Sequence, residues 1–271
     1  MKTQEDFSKY NGEGTVLRKA QLRMLDMLIE VDKICRKHNI SYWLDYGTLL
    51  GAVRHQGFIP WDDDLDICVL RKDYKRLRKV LIAELPKKYL FLDWKNDAYF
   101  FDPCGRIKDT QTRYSYLLFY KQASQGLWID IIMLEKVPNF QYKKVVDRFY
   151  GPVFRQLHNV AACHNESQWK CILKKSMAGV LFPFAQLLVW LGRFLAMVNP
   201  YSFYAHTYGL GFYAKRSYDD IFPLKTISFE NHDFPCPNNV DACLINSYGD
   251  YMQLPPEETR MGHNVSIEIF S

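Results

Sequence analysis

The chain lacks most of the marks that would place a protein quickly. Its seven cysteines include no CxxC pair, which excludes zinc sites of standard ligand spacing. They are odd in number and several sit in apolar runs, so they read as reduced thiols of a cytosolic protein. Two irregular groups remain as zinc alternatives: Cys163 with His164 and Cys171, and His232 with Cys236 and Cys243. There is no internal repeat and no low-complexity tract, so a repeat array is not expected. A net charge of +5 over 271 residues is too mild to mark a nucleic-acid binder, while it suits anionic substrates or a membrane surface. The opening residues, MKTQEDFSKYNGEG, are too polar and acidic for a secretory signal, and the sequons at Asn165 and Asn264 carry correspondingly little weight. A clean transmembrane span is also missing: the most apolar run, residues 179–198, is interrupted by Pro183, Gly192 and Arg193.

What is present suffices for a large core, with 48% hydrophobic and 15% aromatic residues. Residues 16–38 repeat apolar side chains at three- and four-residue steps and predict an amphipathic helix. ISYWLDY and DLDICVL predict strands on either side of a short helix, GTLLGAVRH. DYKRLRKVLIAEL follows as a helix with Asp73 as its cap and Pro86 as its end. YLFLDW, CGRIKD and GLWIDIIML then read as further strands, an order that belongs to an α/β or α+β domain. We therefore expect a catalytic core over 1–137, a helical insertion over 138–210, and a C-terminal segment, 211–271, that completes the core. In that last segment Asn238 or Asn239 would cap a helix that Gly249 stops. The insertion is read first as a buried helix pair. The competing reading lays residues 170–198 in a membrane interface, with Lys170, Lys174 and Lys175 on anionic headgroups.

The chemistry concentrates in WDDDLDI. On a strand, Asp64 and Asp66 point to one face while Leu65 and Ile67 point to the other. Two neighbouring half-buried carboxylates repel unless one is protonated or a cation lies between them. Oxygen ligands of this kind suit Mg²⁺ or Mn²⁺ and leave positions open for phosphate oxygens. Asp62 is a candidate helper, Asp63 reads as solvated, and a plain acidic turn is the alternative for the whole cluster. Two features argue against a plain turn. Gly47 and Thr48 open a short helix, where a glycine and free amides can hold phosphate. Asp130 is a lone carboxylate in an otherwise apolar strand, costly unless paired or metal-bound. The alternative is an aspartate at a strand edge, bonded to Arg or Lys.

The run YWLDYGTLLGAVRHQGFIPWDDDLDI resembles the signature of the LicD family. GLWIDIIML continues the match, and SYGDYMQLPPEETR resembles the family's C-terminal motif. The resemblance implies a nucleotidyltransferase-type fold with a mixed sheet, flanking helices and a helical insertion. It further implies transfer of phosphocholine, or a related phospho-alcohol, from a CDP-activated donor such as CDP-choline to a hydroxyl of a glycan or lipid-linked glycan. The catalytic motif is also similar to that of fukutin-related proteins, where the implied donor is CDP-ribitol. On matching positions Asp64 and Asp66 become metal ligands and Asp130 the third acid, either a ligand or the general base.

Arg54 and His55 are candidate donor-binding residues, with a salt bridge to the aspartates and a structural place beside Trp61 as their respective alternatives. Arg106 and Lys108 alternate on one strand face and would meet the diphosphate. Arg260 and His263 lie within possible reach of the site, and Tyr114, Tyr116 and Trp128 offer aromatic faces of the kind a quaternary ammonium needs. Two other functions compete: nucleotidyl transfer from an NTP with release of pyrophosphate, and non-catalytic glycan or lipid binding. Nucleic acid is not an expected partner, and the expected location is the cytoplasm, with a peripheral place at the inner face of the membrane as the alternative.

Overall fold

The computed structural model describes residues 6–97, 100, 102–115, 126–158, 167–262 and 266–269, so Tyr116, Cys163, His164 and His263 lie outside it. After a single-turn helix α1 (Ser8–Asn11), α2 (Val16–Lys37) buries Met24, Leu28, Val31 and Cys35 on one face. Its N-cap is Thr15, whose hydroxyl accepts the Arg18 N–H. Strand β1 (Tyr42–Leu44), helix α3 (Tyr46–His55), strand β2 (Asp66–Leu70) and helix α4 (Arg71–Glu84) follow as expected. Asp73 lies in the first turn of α4 without capping it; Leu70 is the N-cap and makes no side-chain cap bond.

The sheet continues with β3 (Tyr89–Asp93), β4 (Gly105–Asp109) and β6 (Trp128–Val137), while β5 (Thr112–Ser115) pairs with the late β10 (Ser266–Ile269). Helices α5 (Phe140–His158) and α6 (Gln168–Val198) occupy the stretch read as a helical insertion. Strand β7 (Phe203–His206), helix α7 (Tyr218–Ile221), the hairpin β8 (Lys225–Phe229) and β9 (His232–Cys236), and helix α8 (Val240–Tyr248) complete the order. The fold is thus a mixed α/β one. The main sheet runs β1-β2-β6-β4-β3, with β7 pairing to the far half of β6; among the described strands of this sheet only β2 and β6 are parallel. β7 is a strand inside the stretch read as helical, and it ties the end of the insertion to the central strand.

One expectation about the insertion fails. α6 is a single 31-residue helix that runs through Pro183, and it is not buried as a pair. It packs inward with small residues, among them Ala178, Ala185, Gly192 and Ala196, and leaves most of its large side chains outside. The reading of all cysteines as reduced thiols also fails at one position, because Cys171 is disulfide-bonded. Cys35, Cys68, Cys104, Cys236 and Cys243 are buried free thiols. Among the described residues no group of three His, Cys, Asp or Glu is assembled as a metal site, which removes the zinc reading of His232, Cys236 and Cys243.

The loop that delivers the aspartates turns back on α3. Gln56 ends the helix at φ +57°, and a Cβ on Gly51 would lie 2.4 Å from the Gly57 carbonyl oxygen. Gly51→Ala is therefore expected to cost about 1–3 kcal/mol through overpacking against backbone, measured by urea denaturation.

Candidate active site

Three adjacent strands place Asp66, Asp130 and Arg106 in one row. The parallel register sets Asp66 on β2 opposite Asp130 on β6, and the antiparallel register sets Asp130 opposite Arg106 on β4. Residues in register on neighbouring strands share a face of the sheet, so topology brings the three side chains together. The ladder extends one residue before β2, where the Asp130 N–H donates to the Leu65 carbonyl at 2.8 Å. Side-chain alternation reaches further back: Asp62, Asp64 and Asp66 are half-buried while Asp63, Leu65 and Ile67 are buried. Asp62 therefore joins the alternation, and Asp63 is not a solvated residue. It turns inward, packed so closely under Gly262 that a Cβ there would lie 3.0 Å from the Asp63 carboxyl carbon.

Asp64, Asp66 and Asp130 line a cavity of about 290 Å³ with Arg106 and Asp102. Burial, then the charges of Asp64 and Asp130, hold the Asp66 carboxyl well above the usual range. Asp102 is raised as well, chiefly by burial. Asp130 is occupied: Arg106 grips both its oxygens, the second at 3.3 Å, and the Trp128 indole N–H donates to that same oxygen at 3.1 Å. The arginine partner is thus real, but Asp130 lies on β6 in the middle of the sheet rather than at an edge. Burial pulls the Arg106 guanidinium down, and the Asp130 charge more than offsets this. Its Cζ lies 4.7 Å from the centre of the Trp128 ring, so that aromatic face is already covered.

The glycine-led helix serves the site through its contacts. The Thr48 hydroxyl accepts the Asp66 N–H at 2.8 Å and fixes the start of β2. Gly47 leaves room that the Asp62 carboxylate takes, since a Cβ there would stand 3.0 Å from its Oδ2. Arg54 and His55, at the other end of α3, line a separate cleft of about 720 Å³ and not the acid cavity. Arg54 donates to the Tyr251 carbonyl at 3.1 Å, and the His55 ring meets Phe7 and Trp61 edge-on. Burial, then Arg54, lowers His55 to about 4, so it stays neutral near pH 7. Lys108 is buried beside Arg106 without lining the cavity; burial, then Arg106, lowers it to about 8. Arg260 packs its guanidinium over Trp61, with its Cζ 5.3 Å from the ring centre.

Among the cavity-lining residues that the sequence does not single out are Asp102, Tyr46, His206, Phe212 and Tyr248. His206 comes from β7, and Tyr248 is the last residue of α8, just before the Gly249 that stops it. The Tyr46 hydroxyl and His206 Nε2 form a close hydrogen bond. Burial, then Lys143, lowers His206 to about 3, so its ring is neutral. Tyr46 holds a left-handed backbone at φ +51°, a strained conformation of the kind that clusters at functional sites.

Residues 39–151, which include this entire strand row, match the family described as LicD/FKTN/FKRP, nucleotidyltransferase domain. Over 268 residues the chain is 30% identical to the lipopolysaccharide cholinephosphotransferase LicD of Haemophilus influenzae, covering 92% of this chain and 96% of that protein. The chain belongs to the LicD family. An uncharacterized protein of Rickettsia prowazekii is 43% identical over 77 residues, which cover 28% of this chain and 27% of that protein. The human ribitol 5-phosphate transferase FKRP is 42% identical over 45 residues, only 17% of this chain and 9% of that protein. The LicD match over nearly the full length includes β7 and α8, the elements that bring His206 and Tyr248 to the acids.

A divalent cation fits this LicD-family site by donor chemistry. Asp64 and Asp66 are oxygen donors on one cavity wall, and the repulsion that raises Asp66 is what a cation between them would relieve. Asp62 is near enough for its charge to act on Asp66 but does not line the cavity, and Asp130 is already committed to Arg106.

Proposed function

We propose that the chain transfers phosphocholine, or a related phospho-alcohol, from a CDP-activated donor to a hydroxyl of a glycan or lipid-linked glycan, with release of CMP. The cross-strand row of Asp66, Asp130 and Arg106 carries this reading. It sets a carboxylate pair for a cation beside a fixed guanidinium and a fixed carboxylate. Mg²⁺ or Mn²⁺ held by Asp64 and Asp66 would supply positive charge for the diphosphate and the departing CMP. Arg106 adds a fixed charge on the other side of the row. Asp130, oriented by Arg106 and Trp128, accepts the proton of the attacking hydroxyl as the new P–O bond forms and the bond to CMP breaks. Tyr46, Phe212 and Tyr248 give the cavity aromatic faces suited to a quaternary ammonium, which supports choline as the alcohol.

Incubation with a panel of CDP-alcohols, Mg²⁺ and candidate glycan acceptors tests the reading. CMP release is expected, highest with CDP-choline. Pyrophosphate from an NTP, with no CMP from any CDP-alcohol, would instead establish nucleotidyl transfer, a reading favoured by the nucleotidyltransferase description of residues 39–151.

The second part of the proposal concerns α6, which we place on the cytoplasmic surface of a membrane. Val180, Phe184, Leu187, Trp190 and Phe194 are each 57–69% exposed, and Lys170, Lys174 and Lys175 stand near the start of the helix. An apolar helix face with flanking lysines matches an anionic bilayer surface. Vesicles containing anionic lipid are expected to co-sediment the protein at low salt, and absence of binding would remove the membrane from the proposal.

A further inference from the structure

Behind the acid cavity lies a cleft of about 600 Å³ between α4 and α6, and its wall is strongly cationic. Arg71, Lys72, Lys75, Arg78, Lys95 and Arg193 line it, and among the described residues no acidic side chain does. Two carboxylates answer these six cations from behind. Glu135 is gripped by Arg193 at 2.6 and 3.1 Å and approached by Arg71 at 3.6 Å, and Asp93 is held by Arg78 at 2.6 Å. Lys72 and Lys75 are exposed. The Arg71 guanidinium is lowered by burial, only partly offset by Glu135.

The charge balance of this wall points to an anionic ligand, and the helix beside it adds to the same positive field. Helix α4 starts at Arg71 with no side-chain cap, so the positive end of its dipole stands beside Arg71 and Lys72. Tyr74 and Tyr208 also line the cleft, but their hydroxyls are turned into the packing, against Gly105 and Gly192.

The cleft is continuous with the apolar face of α6. Trp190 lines it and also stands 62% exposed on that face. It is also one residue layer from the chemistry: Pro103, Met133 and Thr207 line the cleft while their chain neighbours Cys104, Ile132 and His206 line the acid cavity.

We propose that this cleft binds the phosphate of an anionic lipid headgroup, whose acyl chains lie along α6. The proposal rests on the membrane reading of α6 and adds a defined headgroup site to it. A phosphate there would meet the two free lysines, Arg71 and the α4 N-terminus, while the lipid's apolar portion continues over Trp190.

The probe is dihexanoyl phosphatidylglycerol below its micelle concentration, titrated into the full chain by calorimetry. Dihexanoyl phosphatidylcholine and sn-glycerol 3-phosphate are the comparison ligands. Saturable binding of phosphatidylglycerol is expected, with at least about tenfold weaker binding to Lys72→Ala/Lys75→Ala, from loss of two charge-assisted contacts. Both substituted side chains are exposed, so the variant is expected to fold, as thermal denaturation would check. Equal affinity in the double variant would overturn the site. So would glycerol phosphate binding as tightly as the lipid, which would assign the cleft to free phosphate compounds, or phosphatidylcholine binding equally well. The monomeric probe forms no bilayer. Failure here with intact vesicle co-sedimentation therefore overturns the headgroup site alone, whereas loss of both removes the membrane reading as well.

Discussion

Asp66→Asn is expected to lower turnover by about 10³-fold or more while the protein stays folded, and Asp64→Asn to do the same. The asparagine side chain is nearly isosteric and keeps an oxygen, but it removes the negative charge that a divalent cation needs. Folding should not suffer, because the charge is a liability to the metal-free protein. Burial and the neighbouring acids hold the folded Asp66 well above its ordinary value. A carboxylate shifted in that direction contributes stability fully below about pH 4 and loses it as pH rises through the folded value. In chelator at neutral pH, Asp66→Asn should therefore melt no lower than the unsubstituted protein, and the difference should shrink toward pH 4. Added Mg²⁺ should raise the melting temperature of the unsubstituted protein more than that of the variant. Full activity in either variant would remove the metal assignment.

The acid row was legible in the sequence because its cost was legible. Asp64 and Asp66 alternate with Leu65 and Ile67 in front of an apolar run, and Asp130 interrupts another one. Only a site, or a partner, makes such placements tolerable. Arg106 was legible by alternation as well, although its attachment to Asp130 depends on β4 and β6 being antiparallel neighbours. His206, Phe212 and Tyr248 were not visible. They come from segments far along the chain, and a tyrosine or a neutral histidine has an ordinary place in any core. β7 was hidden for another reason: four residues between a long helix and a turn carry too little periodicity to separate strand from helix.

The insertion shows the limit of hydropathy. Its apolar content was plain, but which side of α6 faces the protein depends on fit. Helix α5 and the sheet accept Ala178, Ala185 and Gly192, and at Gly192 a Cβ would lie 2.4 Å from the Tyr208 hydroxyl oxygen. Small residues permit that close approach, so the large ones are left to solvent or lipid. A mean over the helix cannot carry this distinction.

Arg216→Met is expected to destabilise the protein by about 3–5 kcal/mol, the usual cost of breaking a buried ion pair from one side. For a chain of this size that corresponds to a fall of roughly 10 °C in melting temperature. Arg216 is 1% exposed and Asp45 fully buried, and the guanidinium meets the Asp45 carboxylate at 2.9 Å and the Ser247 hydroxyl at 2.8 Å. Asp45 in turn accepts the Tyr46 N–H at 2.8 Å and the Trp43 indole N–H at 3.2 Å. Without the arginine, a charged N-cap is left in the core with only neutral donors. Asp45→Asn added to Arg216→Met should recover part of the loss, since the two residues act as a unit. A drop below about 2 °C for Arg216→Met would mean that Asp45 does not depend on this partner. The consequence also reaches the acid cavity: Arg216 lies over the Tyr46 ring, its Cζ 5.5 Å from the centre, and Tyr46 bonds His206 in the cavity wall. Turnover measured well below the lowered melting point should therefore still fall in Arg216→Met, which a loss of stability alone would not produce.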